Sequence, residues 1–445
     1  MKAQIKEEIL RRAAKENVKF IRLQFTDILG ILKNVAIPVS QLEKALNNEI
    51  YFDGSSIEGF TRIEESDMKL RPDYSTFTTF KWHPNDKGTV GRLICDVYLP
   101  NDQPFPGDPR YALRQVLKEA RSMGFSVMIG PECEFFLFKR NEDGRPVPIT
   151  NDEGSYFDLG PVDKGEDARR DIVLALEEMG FEVEASHHEV ARGQHEIDFK
   201  YDDALVAADR VATFKFATRA IAAQHGLHAT FMPKPIYGIC GSGMHTNISL
   251  YGADGRNAFY DPDKEFELSD TCRHFIGGLL HHAPGITLVT NPLVNSYKRL
   301  VPGFEAPVYI SWSAQNRSAL IRVPTTRGKG TRMELRSPDP SCNPYLAFAA
   351  IIKAGLDGIK NGIEPPPSLN GNIYHMTPEE RRAKGINNLP ASLEEAIAAF
   401  AADPVVQSAL GEHISSRLLE AKRIEWEHYR SQVHQWELDH YLGVF

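Results

Sequence analysis

A chain of 445 residues, 42% hydrophobic and 25% charged, has enough apolar material for a large buried core, which excludes a mainly disordered protein. Its 60 acidic and 51 basic residues leave a net charge of -9; this excludes a generic nucleic-acid binder, and no apolar run approaches a membrane span. Five widely spaced cysteines without a C-x-x-C pair, and a charged N-terminus without a signal-peptide core, point to a reduced, cytoplasmic protein with neither a disulfide framework nor a structural zinc site.

The chain opens on a predicted helix through Lys15, with Ile5, Ile9, Leu10 and Ala13 on one side. From Phe20 to Val97, short apolar stretches (FIRLQFTDILGI, NVAIPV, GRLICDVYL) read as strands of a small α+β unit. The Pro, Asp and Gly-rich stretch LPNDQPFPGDPR marks the best domain boundary, giving a small domain over 1–105 and a large one over 106–445. A helix follows at once, with Asp108 as N-cap, Pro109 as first helical residue and Gly124 after the last turn. Further strands are predicted at 126–138, 181–185, 193–199, 243–250, 319–323 and 332–336. Helices are predicted at 166–179, 204–225, 270–282 and 343–361, with a mostly helical tail from Leu393 to Tyr441. The large part is thus α+β, built around an extended sheet.

Glutamates at strand spacing are the informative feature. Glu132 and Glu134 lie two apart in an apolar strand and point to one face. Such a pair is costly to desolvate, and a bound cation is one remedy; taken alone, a surface or salt-bridged pair is the plainer explanation. Further candidates are Glu184 and Glu189 in EVEASHHE, Glu196 in GQHEIDF, His245 in GSGMHTNISL and Glu334 between Arg332 and Arg336. Many carboxylates and one imidazole, with almost no thiolate, suit Mg²⁺ or Mn²⁺ better than zinc. His187, His188 and His195 read as packed or hydrogen-bonded histidines. Arg299, Arg317, Arg322, Arg332 and Arg336 supply forks for carboxylate and phosphate. With no P-loop and no dinucleotide fingerprint, a nucleotide would be held by metals and arginines. The glycines of GICGSG permit close backbone approach to a ligand, and a plain turn before a strand accounts for them equally.

Six segments in order resemble type I glutamine synthetase: YFDGSSIEGF, PECEFFLF, EASHHEVARGQHEIDF, FMPKPIYGICGSGMHTNISL, NSYKRLVPGFEAPVYISWSAQNRS and RMELRSPDPSCNPYLAFAA. The resemblance implies a small N-terminal β-grasp domain, a large C-terminal catalytic domain with an extended antiparallel sheet, and a homo-oligomer, a dodecamer of two hexameric rings with active sites between subunits. It implies ATP-dependent ligation of ammonia to L-glutamate through γ-glutamyl phosphate, with two or three Mg²⁺ or Mn²⁺ ions per site. Glu134, Glu189 and Glu196 match the ligands of one ion, and Glu132, His245 and Glu334 those of the ion beside the nucleotide phosphates. Glu184, Asn247, Ser249, Arg317 and Arg332 match positions around ATP. Gly241, Arg299, Glu305, Arg317 and Arg336 match the glutamate site, and Arg317 and Arg322 face the transferred phosphate. Asp53 matches the residue that binds ammonium and takes its proton, and Glu305 lies in a flap-like loop.

EGFTRIEESDMKL resembles the α-type enzymes, in which an arginine at the position of Arg62 mediates feedback by glutamine. The chain's length fits that type, and the residues around Tyr374 differ from the β-type's modified tyrosine, which implies that Tyr374 is not adenylylated. A nitrogen-regulatory protein partner is implied for the inhibited state of some α-type enzymes. Cys240 departs from the family, which usually has asparagine there in the glutamate pocket. The alternatives are a γ-glutamyl ligase for another amine, which should lack the acidic pair Asp53 and Glu305, and a non-catalytic paralogue, which should lack metal ligands.

Overall fold

The computed structural model describes residues 2–445 apart from 58, 60–66, 83–86, 305, 315, 317, 370 and 372; Arg62, Glu305 and Arg317 thus lie outside the described residues. The first helix, α1 (Lys2–Lys15), buries Ile9 and Ala13 against a small mixed sheet. That sheet comprises β1 (Val18–Thr26), β2 (Leu32–Pro38), β3 (Ile50–Asp53), β4 (Asp67–Pro72), β5 (Thr78–Phe80) and β6 (Thr89–Tyr98), in the order β2-β1-β6-β4-β3 with β5 also on β6. β1 and β6 are parallel neighbours, and Ile21, Leu23, Phe25, Leu93 and Val97 from these two strands enter one core with Leu42 and Leu46 of the short helix α2 (Leu42–Leu46).

The predicted boundary carries the predicted cap. The Asp108 carboxylate accepts from Arg110 N, Pro109 starts α3 (Pro109–Ser122), and Gly124 follows at φ +87°. The long strand β7 (Phe125–Arg140) then forms the spine of a second sheet, and β8 (Pro146–Thr150) returns along it. After α4 (Glu166–Glu178) come β9 (Val183–His188), β10 (Gln194–Phe199), β11 (Asp202–Asp203), α5 (Ala204–Gln224), β12 (His228–Thr230) and β13 (Met244–Gly252). Next are α6 (Asp270–Thr290), α7 (Ser296–Arg299), β14 (Trp312–Ser313), β15 (Ile321–Arg322) and β16 (Met333–Leu335). The sheet order is β14-β15-β16-β13-β7-β10-β9, antiparallel apart from the β14–β15 pair. The helices α8 (Pro344–Asn361), α9 (Pro378–Ala383), α10 (Leu393–Ala401), α11 (Pro404–Arg430) and α12 (Gln435–Tyr441) complete the chain.

The core of the large part lies between this sheet and α3, α5, α6 and α8. α6 and α8 cross at glycine: a Cβ on Gly278 would stand 2.2 Å from Ala354 O, and one on Gly358 would stand 2.1 Å from His274 O. α6 also outruns its predicted end at 282 and passes through Pro284 to Thr290. Burial of Ile286, Leu288 and Val289 outweighs the cost of about 3 kcal/mol for an internal proline. The predicted strand at 181–185 is displaced to Val183–His188, and those at 319–323 and 332–336 shorten to Ile321–Arg322 and Met333–Leu335. Among the described residues, no helix is long and apolar enough to cross a membrane.

Candidate active site

Strand register builds the site. Glu132 and Glu134 share one face of β7 because alternate residues of a strand do so. β10 sets Glu196 opposite Glu134 and Asp198 opposite Glu132. On the other side, β13 sets His245 opposite Glu132. β16 sets Glu334 opposite Asn247, and β15 sets Arg322 opposite Glu334. β9 sets His187 opposite Glu196, and Glu189 lies just beyond it, before the turn into β10. Side chains far apart in sequence thereby form a charged belt across the sheet.

Two groups in the belt have ligand atoms within 4.8 Å of one another: Glu132, His245 and Glu334, and His187, Glu189 and Glu196. In the first, His245 Nδ1 lies 3.4 Å from Glu132 Oε2 and 3.7 Å from Glu334 Oε1. Burial and the Arg336 charge push His245 below the ordinary imidazole range, so the ring is neutral and has a lone pair to offer. Burial alone would raise Glu132; the His245 and Asn247 contacts outweigh it and hold the carboxyl low. In the second group, His187 Nε2 lies 2.9 Å from Glu189 Oε1. Glu134 faces this group and accepts from Gln194 Nε2 at 2.8 Å and Gly243 N at 2.9 Å. Burial, then the neighbouring Glu189, push Glu134 up to about 8; burial, then Glu134 and Asp198, push Glu196 up to about 12.

Among the described residues, no lysine or arginine forms an ion pair with Glu134, Glu189 or Glu196. A largely buried set of converging carboxylates, joined by an imidazole and reached by Arg299 and Arg336 only through longer-range charge on Glu134, fits a hard divalent cation. Glu334 differs, because it already pairs with Arg336 and with Arg322 Nε at 2.9 Å.

A cleft lies on each side of the belt. The larger, of about 410 Å³, is lined by Glu132, Glu184, Asn247, Ser249 and Arg332 together with Tyr201. Arg332 Nε donates to Asn247 Oδ1 at 2.9 Å, and Asn247 Nδ2 donates to Glu132 Oε1 at 2.8 Å, so the arginine is linked to the belt through one amide. The smaller is lined by Glu134, Glu189, Cys240, Gly241, Arg299 and Arg336. Arg299 is buried and donates to backbone carbonyls, Nη1 to Ser337 O at 2.7 Å and Nη2 to Arg336 O at 3.2 Å. Arg336 Nε is buried and has no hydrogen-bond partner among the described residues. The glycines here are required by space: a Cβ would meet Pro233 O at 2.2 Å from Gly241 and Arg299 Nη2 at 2.5 Å from Gly243.

Asp53 stands apart. It ends β3, is exposed, lines neither cleft, and its carboxylate accepts from Ser55 N at 2.8 Å. Sequence reasoning missed Asp198 and Gln194, and it took His187 for a packed or hydrogen-bonded histidine, which its contact with Glu189 bears out without excluding it from the ligand group. His187 had a signal, since a strand through 188 puts it on the face of Glu189. Gln194 had none, because its role rests on a contact with Glu134, sixty positions away.

Residues 106–441 match the glutamine synthetase catalytic domain, and residues 17–100 match the glutamine synthetase beta-Grasp domain. The chain is 61% identical to the glutamine synthetase of Thermus thermophilus, with 99% of each chain covered. It is 57% identical to that of Methanosarcina mazei, covering 100% of this chain and 99% of the relative. Among solved structures, GmaS bound to ADP is 35% identical, with a TM-score of 0.89 over 98% of this chain and 99% of that one. Plasmodium falciparum glutamine synthetase gives 0.87 at 27% identity, over 99% and 98%. With a β-grasp domain, a catalytic domain and full-length relatives all agreeing, the chain belongs to the glutamine synthetase family, the glutamate–ammonia ligases that use ATP and a divalent metal.

Proposed function

We propose that the chain is a type I, α-type glutamine synthetase, inhibited by glutamine and not adenylylated, working in the cytoplasm as a dodecamer of two hexameric rings. Residues 1–105 form its β-grasp domain and 106–445 its catalytic domain. The observation that carries this reading is the belt of Glu132, Glu134, Glu189, Glu196, His245 and Glu334 between two clefts, one lined by Arg332 and Asn247 and the other by Arg299 and Arg336. These six residues would hold two or three Mg²⁺ or Mn²⁺ ions, whose charge would offset that on the phosphoryl oxygens.

ATP occupies the larger cleft, against Glu184, Asn247, Ser249 and Arg332. L-Glutamate occupies the smaller one, against Gly241, where Arg299 and Arg336 fix its carboxylates. A carboxylate resists attack by ammonia because oxide is a poor leaving group, so phosphoryl transfer to glutamate comes first. Arg322 and Arg317 stabilise the charge developing on the transferred group. Asp53 from a neighbouring subunit and Glu305 collect ammonium and remove its proton, and the loop around Glu305 keeps water from γ-glutamyl phosphate. Arg62 transmits feedback by glutamine, and the inhibited form binds a nitrogen-regulatory protein. The Tyr374 hydroxyl donates to Ala306 O at 2.8 Å, which supports a structural tyrosine rather than a modified one.

Phosphate release from ATP with Mg²⁺ and L-glutamate, comparing ammonium with a panel of amines and with or without glutamine, tests the reading. Ammonium-dependent turnover suppressed by glutamine is expected. Turnover with another amine alone would assign an amine ligase and direct attention to Cys240.

A further inference from the structure

Behind the belt, and outside both clefts, lies a second group of chemistry-bearing side chains: Asp152, Asp163, His188 and His195, all buried. Arg169 already supplies this group with a cation on its Asp163 and His195 side. Arg169 Nη1 lies 2.7 Å from Asp163 Oδ2 and 2.9 Å from His195 Nδ1.

Asp152 is the hub. Its Oδ1 accepts from Gly193 N at 2.9 Å and Gly154 N at 3.2 Å, and lies 3.1 Å from His188 Nε2; its Oδ2 accepts from Lys164 N at 3.1 Å and Asn151 Nδ2 at 3.2 Å. Each contact on Oδ1 bears on the belt. Gly193 lies in the turn joining β9 to β10, between Glu189 and Glu196, and precedes Gln194, whose amide donates to Glu134. Gly193 sits at φ +66°, where a Cβ would stand 2.8 Å from Thr150 Cβ. His188 uses its other nitrogen, Nδ1, on the backbone carbonyl of Glu189 itself at 2.7 Å. Gly154 lets the loop close on that ring, since a Cβ there would lie 2.6 Å from His188 Nε2. The same loop donates Phe157 N to His188 O at 3.1 Å.

We infer that Asp152, acting through His188 and the Gly193 turn, is a positioning residue that sets the relative placement of Glu189, Glu196 and Glu134 for one divalent ion. The inference rests on the metal reading above. Outer partners that orient ligands commonly change metal affinity by about 10- to 100-fold when removed.

Chelator-stripped full-length enzyme is titrated with Mn²⁺ by calorimetry, with free Mn²⁺ counted by electron paramagnetic resonance. In Asp152→Asn, one class of Mn²⁺ sites should weaken by about 10- to 100-fold. The other class should keep its affinity, and saturating Mn²⁺ should restore most of kcat. His188→Asn, whose amide still reaches the Glu189 carbonyl, should weaken that class less than His188→Ala; this pair decides the matter if Asp152→Asn does not fold. Unchanged Mn²⁺ affinity in folded Asp152→Asn overturns the inference, as does an equal loss in both classes together with thermal stability. Glu189→Gln is the control: if it spares both classes, the metal reading itself fails and takes the inference with it.

Discussion

Glu196 lies buried opposite Glu134, with Asp198 two residues along its own strand, and burial is the first cause of its raised pKa. Raised to about 12, the Glu196 carboxyl keeps its proton in the absence of metal, so Glu196→Gln preserves both shape and neutrality and removes only the carboxylate that a bound cation would draw out. Metal-free enzyme should therefore unfold at an unchanged or higher temperature, while kcat/KM falls by at least about 100-fold through loss of a ligand. Scanning calorimetry and steady-state kinetics check the two halves separately. Cys240 offers a different case. It shares the smaller cleft with Arg299 and Arg336, and a thiol is a weak hydrogen-bond partner. Cys240→Asn should lower KM for glutamate by no more than about fivefold, the worth of one neutral hydrogen bond, and leave kcat nearly unchanged.

Among the elements, those with a strong period were legible and those defined by distant contacts were not. The Glu132 and Glu134 pair could be read because a two-residue period in an apolar strand leaves one face for both. α3 could be read because Asp108, Pro109 and Gly124 punctuate it. β14 is two residues long and exists through its neighbour, so nothing local announces it, and β15 keeps only Ile321 and Arg322 of the strand predicted at 319–323. The end of α6, predicted at 282, lies at Thr290 for the same reason, since packing on α8 decides it. That helix also carries His282, whose Nδ1 lies 2.7 Å from Asp403, the N-cap of α11, and whose Nε2 lies 3.1 Å from Asp357 on α8. Burial alone would favour the neutral ring; the two carboxylates outweigh it and raise the pKa. A raised folded pKa gives stability that is fully present below the unfolded value of about 6.5 and lost as pH climbs through the folded value. Melting temperature should thus decline on the alkaline side, and His282→Gln should flatten that decline.

Across the whole molecule, arginines of α3 join the small domain to the large, and Arg114 reaches Asp73 at 3.1 Å and Asp96 at 3.3 Å. Arg110, in the first turn of α3, reaches Asp73 at 2.7 Å and Asp96 at 2.5 Å in the small domain, and grips Asp209 of α5 with Nε and Nη2 at 2.9 and 2.8 Å. Arg110→Leu should cost about 3–5 kcal/mol, because it leaves the buried Asp209 without its paired cation while Arg114 still serves Asp73 and Asp96. Burial raises Asp73, but the Arg110 charge and the Ser75 contact prevail and bring it to about 2. The unfolded chain takes up that proton first, near pH 4, so the stabilisation holds above that value and drains away as pH falls towards about 2. Calorimetry down the acid limb, on wild type and Asp73→Asn, reads the difference. The isolation of Asp53 from both clefts has a genetic consequence. If each centre borrows its Asp53 from an adjacent copy, two dead alleles can rescue one another. Equal amounts of Asp53→Asn and Glu196→Gln chains, unfolded and reassembled together, should regain activity at about a quarter of the centres, those whose two halves both escaped mutation. Chains that each completed their own centre would stay silent in every mixture.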